Sequence, residues 1–221
     1  MYRAHRGPVG SLTPLVGYSG GQRITSLHQQ LLDDALDVRT AADTDVVYAQ
    51  LDATTAYGGD WGEMHPVATS ARRRVQFIRF VLPDIPQGAI ITACTLSLAG
   101  AQNQSVATPA DDLRLGFEQA DTVASPANLT AVQNRWENVG ATVTWQNSGT
   151  WNNNVARTSP NLASALQQVI DRAGWAPGNA VGVWTYHPGN GANALQLRAH
   201  NGVAEANRPR LQVEYQHWGT P

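Results

Sequence analysis

From Asp43 to Tyr215 the apolar residues come in short runs that mostly alternate with polar ones. Each run ends at Gly, Pro, Asn or Asp. Alternation with a period of two is the pattern of half-buried strands, and Gly/Pro-rich breaks mark turns. The runs are 45–51, 74–82, 89–99, 112–118, 141–145, 180–186, 194–199 and 210–215. Within 74–82, Val75 and Phe77 share a face with Arg79; within 89–99, Leu96 and Leu98 share one with Cys94. A polar, Gly-rich loop separates the first two runs and carries Tyr57, Asp60 and Trp61.

One helix interrupts this pattern. Ser159 reads as its N-cap and Pro160 as its first residue. Leu162, Ala165, Leu166, Val169 and Ile170 form a 3.6-residue stripe, and Gly174 reads as the stop. Strands with one helix before the last three predict an all-β fold, an antiparallel jelly-roll β-sandwich over 43–221. Residues 1–42 read differently. The segment from Arg6 to Gly21 is Gly/Pro-rich and aperiodic, an extended arm. Ser26 and Gln29 form a capping box before Leu27, Leu31, Leu32, Ala35 and Leu36, which predicts a short amphipathic helix over 27–38.

Composition narrows the chemistry. Every one of the 15 basic residues is Arg, so lysine-dependent sites (a P-loop, a Schiff base) are excluded. Charged residues make up 14% and the net charge is −2, which argues against nucleic acid as a partner. A single cysteine, Cys94, excludes an internal disulfide, and its apolar run predicts a buried thiol. No apolar stretch is long enough for a transmembrane helix. Pro8 and Pro14 break the basic N-terminus before any signal-peptide core, so no export signal is expected.

The stretch from Arg74 to Leu98, RVQFIRFVLPDIPQGAIITACTLSL, is followed in order by Val143-Thr-Trp145 with Trp151-Asn152. Asn161 through Trp175 and Arg208-Pro-Arg-Leu-Gln-Val-Glu-Tyr215 complete the series. Together these pieces resemble DNRLRE-type domains, a group of carbohydrate-binding-module-like jelly rolls. The resemblance implies a non-catalytic module and packing roles for the Trp145/Trp151 region and Trp175. Similar sandwiches also serve on phage particles as decoration or fibre domains.

Several motifs carry alternative chemistry. Gly17-Tyr-Ser-Gly-Gly21 fits the G-x-S-x-G elbow of a serine hydrolase with Ser19 as nucleophile, but the elbow needs an α/β sheet. The six histidines lack metal spacing, and no cofactor is expected. A structural Ca²⁺ held by loop carbonyls and Asp43, Asp45 or Asp60 is a further reading. Arg72 to Arg74 is the one basic run, read as charges guarding the strand behind it. Of the seven tryptophans, Trp145, Trp175 and Trp184 read as core, whereas Trp61, Trp151 and Trp218 are the candidates for exposure.

Three functions are therefore weighed. The first is a non-enzymatic subunit of a larger assembly: a phage virion component such as a capsid decoration or head-tail accessory protein. It is made in the host cytoplasm and displayed on the particle. Its partners are capsid proteins or itself, with a trimer plausible. The arm anchors it through Leu12, Leu15, Tyr18, Leu27, Leu31 and Leu32. The second is an extracellular glycan-binding module with Tyr57, Trp61 and Trp151 as its aromatic platform. The third is the Ser19 hydrolase.

Overall fold

The computed structural model describes residues 18–19, 22–23, 30–51, 56–57, 61–64, 74–106, 112–146, 149–186, 195–200 and 203–219. They form an antiparallel β-sandwich. The larger sheet has six strands in the order β11-β10-β14-β7-β4-β5. These are β4 (Val46–Gln50), β5 (Ala56–Tyr57), β7 (Arg74–Val81), β10 (Leu113–Glu118), β11 (Val139–Trp145) and β14 (Ala180–Tyr186). The smaller sheet runs β13-β8-β16-β3, from β3 (Gln30–Arg39), β8 (Ile90–Ala99), β13 (Ala156–Thr158) and β16 (Arg210–Gly219). Three short pairs complete the strands. They are β1 (Tyr18–Ser19) with β2 (Gln22–Arg23), β6 (Trp61–Met64) with β15 (Leu195–Arg198), and β9 (Gln104–Val106) with β12 (Gly149–Trp151).

Alternation places the core. Ile78 and Phe80 of β7, Leu113, Leu115 and Phe117 of β10, and Val181 and Val183 of β14 point at the smaller sheet. They meet Cys94, Leu96 and Leu98 of β8 and Leu211 and Val213 of β16. Among them sits a polar trio with its hydrogen bonds made. Gln76 donates to the Tyr48 hydroxyl at 2.6 Å and accepts from Thr185, while Tyr48 donates to the Leu197 carbonyl at 3.1 Å. The last bond ties β15 to the larger sheet.

The other face of the larger sheet is also covered. Val75, Phe77, Ala180 and Trp184 lie under Val123 and helix α1 (Leu129–Arg135), which lays down Leu129 and Val132. The sequence reading lacked this helix, whose signal is the Asn128 cap: its side chain accepts from the Ala131 N–H at 2.9 Å. Phe77 and Trp184 pack with ring centroids 4.9 Å apart. A Cβ on Gly182 would fall 2.3 Å from the Phe77 ring, so only glycine fits there. Beneath α1, Glu118 accepts both prongs of Arg135 at 2.8 and 2.9 Å and the Trp184 indole N–H at 3.1 Å.

Helix α2 (Ala163–Ile170) buries the expected stripe but starts later than expected. Ser159 is not its cap. The Ser159 hydroxyl accepts from the Leu96 N–H at 3.0 Å, and Asn161 accepts from the N–H groups of Ala163 and Cys94. Leu162 and Gln167 continue this work. Leu162 donates to the Cys94 carbonyl, while Gln167 accepts from Ile91 and donates to Ala89. The stretch before and through α2 therefore seals the edge of β8 that β13 leaves unpaired, satisfying backbone groups that would invite another chain. Gly174 is not a left-handed stop either; a Cβ there would strike Asp121, which pairs with Arg172 at 2.7 Å.

The largest correction concerns the predicted helix over 27–38. Residues Gln30–Arg39 form β3, paired with β16 along all ten positions. Leu32, Leu36 and Val38 fit a period of two as well as Leu31, Leu32, Ala35 and Leu36 fit a helix. Pairing with β16 decides between them, because it buries Leu36 and Val38 in the sandwich core. A boundary after Ala42 thus separates a sheet strand from its sheet.

Candidate functional site

The expected aromatic platform loses Trp151, one of its three members, to the core. Tyr57 lies on β5, its backbone paired with Tyr48. Trp61 opens β6 and is paired with Arg198 of β15. Trp151 is 0% exposed, which overturns the expectation that it stands in solvent. Its ring packs on Trp145 at 5.5 Å, and the Arg157 guanidinium lies 4.8 Å over it. Trp145, Trp175 and Trp184 are buried as expected, whereas Trp218 is 62% exposed.

The remaining expected positions are quickly placed. Leu12, Leu15, Leu27, Asp60, Arg72 and Arg73 lie outside the described residues. Tyr18 and Ser19 form β1, which folds straight back onto Gln22–Arg23. Leu31 and Leu32 are half-buried on β3. Asp43 sits in a short 3₁₀ turn. Asp45 accepts from the N–H groups of Ala41 and Ala42, both at 2.9 Å, and pairs with Arg79 at 3.1 Å. Among the described residues no group of three His, Cys, Asp or Glu side chains is placed to hold a metal. Burial pushes the Cys94 thiol pKa far up, so it behaves as a small apolar core residue.

Two surfaces stand out. The first is the free side of β3. In an antiparallel ladder a residue sends its N–H and C=O to the same neighbour, and successive residues alternate sides. Thr40 donates to the Pro209 carbonyl at 3.2 Å, which fixes the phase. Leu36 and Val38 therefore bond to β16, while Asp33, Ala35, Asp37 and Arg39 direct their backbone groups outward. No described strand pairs with them. At β3 lies a groove of about 800 Å³, lined by β3 from Ala35, by Gln212 to Glu214 of β16, by Arg79 and Val81 of β7, and by Glu205 and Arg208. Past Ile78, β7 has no β4 partner on this side, so two strand edges border the groove.

Charge on β3 is uneven. Arg210 makes a two-pronged ion pair with Asp37. Arg39, directly opposite Arg210 in register, has no carboxylate among the described residues; its guanidinium rests on the carbonyls of Glu205 and Ala206. Asp33 accepts from Gln216 at 2.8 Å, and Asp34 meets His217 at 2.9 Å. At the far end Trp218 faces Leu31 across the pair.

The second surface is an amide-rich rim at the β15 end. Arg198 donates to the side-chain oxygens of Asn153 and Asn154, both at 3.0 Å, and Asn103 accepts from the Asn153 N–H at 2.8 Å. Asn154 is the one described non-glycine residue with positive φ, at 59°. Gln104 and Gln196 bond reciprocally beside it. The register sets the Trp61 backbone opposite Arg198. Sequence reasoning singled out neither Asn153 and Asn154 nor the arginine that holds them. No family model matches the chain, and no curated protein matches it either.

Proposed function

We propose that this chain is a non-catalytic structural subunit that assembles with copies of itself. One observation carries the reading: β3 is a ten-residue edge strand whose outward backbone groups have no described partner and border an open groove. Such an edge recruits another chain unless something covers it. The surface of a phage particle is the setting that the family resemblance suggests for it. Sedimentation velocity of the full chain over a wide concentration range tests the reading. A concentration-dependent oligomer is the expected result; a monomer throughout overturns it.

A second reading follows from the rim. Arg198 orders Asn153 and Asn154 into a polar surface beside the Trp61 backbone, an arrangement suited to hydroxyl-rich ligands such as glycans. A glycan array on the wild type and Arg198→Ala tests it. Binding lost in the variant supports a glycan site at the rim, and silence of the wild type removes it.

A further inference from the structure

We propose that β3 pairs with β3 of a second copy, antiparallel about a two-fold axis through Leu36, so that the two smaller sheets become one continuous sheet. This rests on the assembly reading above and names its contact. Backbone geometry permits it, because the outward groups belong to Asp33, Ala35, Asp37 and Arg39, and same-parity pairing sets outward groups opposite outward groups. With the axis at Leu36, Asp33 faces Arg39 of the second copy, Ala35 faces Asp37, and the symmetric pairs repeat this. About eight backbone hydrogen bonds form between the two copies.

Charge selects this register over its neighbours. An axis through Ala35 sets Asp33 against Asp37 twice. Axes through Asp34 or Asp37 set that carboxylate against its own copy. The Leu36 register avoids every like-charge pair and forms two opposite-charge ones; an axis through Val38 also opposes Asp37 and Arg39 twice, but it engages only residues 37–39 of β3 where the Leu36 axis engages 33–39. It also supplies what Arg39 lacks. That guanidinium stands beside Arg210 and bonds only to carbonyls among the described residues, and the second copy brings it the Asp33 carboxylate. Strand β3 contains neither Pro nor a bulge in its ladder with β16, two of the devices that stop an edge from pairing; a third, edge charge, is present in Asp33, Asp34, Asp37 and Arg39, of which Asp33 and Arg39 are paired in this register.

The test is sedimentation velocity on the full chain and four variants. Asp33→Arg sets two arginines opposite each other in each half of the interface, and Arg39→Asp sets two aspartates. Each weakens association by about tenfold or more. The double variant Asp33→Arg/Arg39→Asp restores the pairs with reversed polarity and recovers the dimer. Ala35→Pro removes an outward N–H and abolishes the dimer, with circular dichroism as the check on its fold. Rescue by the double variant is specific to the Leu36 register. A wild-type oligomer that none of the four variants changes overturns β3 pairing while leaving the assembly reading in place. A wild type that is monomeric throughout overturns both, and cis coverage of β3 by residues 1–29 is the occupant it indicates.

Discussion

Replacing Trp151 by Ala separates a core role for this residue from a platform role. A ligand platform on the surface loses binding and keeps its stability. Trp151 instead has no exposed surface, packs on Trp145 in a tilted pair at 5.5 Å, and lies under the Arg157 guanidinium at 4.8 Å. Removing a fully buried Trp costs about 3–5 kcal/mol in lost transfer energy and residual cavity. The ring pair accounts for about 0.5–1.5 kcal/mol of that and the cation–π contact for about 0.5–1. Domains of this size are stable by about 5–15 kcal/mol, so the variant forfeits a large share of the total. Urea unfolding followed by tryptophan fluorescence and circular dichroism is the assay. With a slope of about 2 kcal/mol per molar, the midpoint falls by about 1.5–2.5 M at unchanged slope. A variant within about 1 kcal/mol of wild type refutes the packing argument.

Two further substitutions probe the rest of the structure. Arg135→Leu leaves the buried Glu118 carboxylate with only the Trp184 N–H and costs about 3–5 kcal/mol. The double variant Glu118→Leu/Arg135→Leu recovers much of that in urea unfolding, because no uncompensated charge is left. The Tyr215 phenol is pushed up to about 12, by burial first and then by Asp34 and Asp84. Its folded pKa exceeds the unfolded value near 10, so its contribution is fully present below pH 10 and is lost as pH rises through 12. Absorbance titration at 295 nm therefore shows late-titrating tyrosine absorbance that Tyr215→Phe lowers by one residue's worth; an unchanged titration curve contradicts the burial.

Much of the sandwich was legible because strand alternation is local. The eight runs read from the sequence correspond to β4, β7, β8, β10, β11, β14, β15 and β16, with small shifts at their ends. What failed was decided by packing that no local pattern displays. The leucines around 31–36 satisfy two periods at once, and only β16, some 180 residues away, selects the strand. Helix α1 offers two buried residues in seven positions, too faint a stripe to read. Trp151 sits among asparagines and glycines, and its burial comes from Trp145 and Arg157 rather than from its neighbours. The open edge of β3 was invisible as such, since an unpaired edge is a property of the sheet order.

The two edges of the smaller sheet are treated differently, and that contrast carries the functional argument. On the β8 side, β13 pairs with three residues, and beyond it Ser159, Asn161, Leu162 and Gln167 satisfy the backbone from Ala89 to Leu96 group by group. Three of those four use polar side chains aimed at a strand edge, at the cost of their rotamer freedom. On the β3 side the described structure supplies no such cover, although β3 is as long as β8 and continuous in its pairing. A fold that closes one edge so thoroughly has the means to close the other. Of the charges there, Asp33 and Arg39 oppose each other across a two-fold axis at Leu36, the favourable register that engages most of β3, so under the proposed pairing the residues that would repel a random strand favour a second copy in that register.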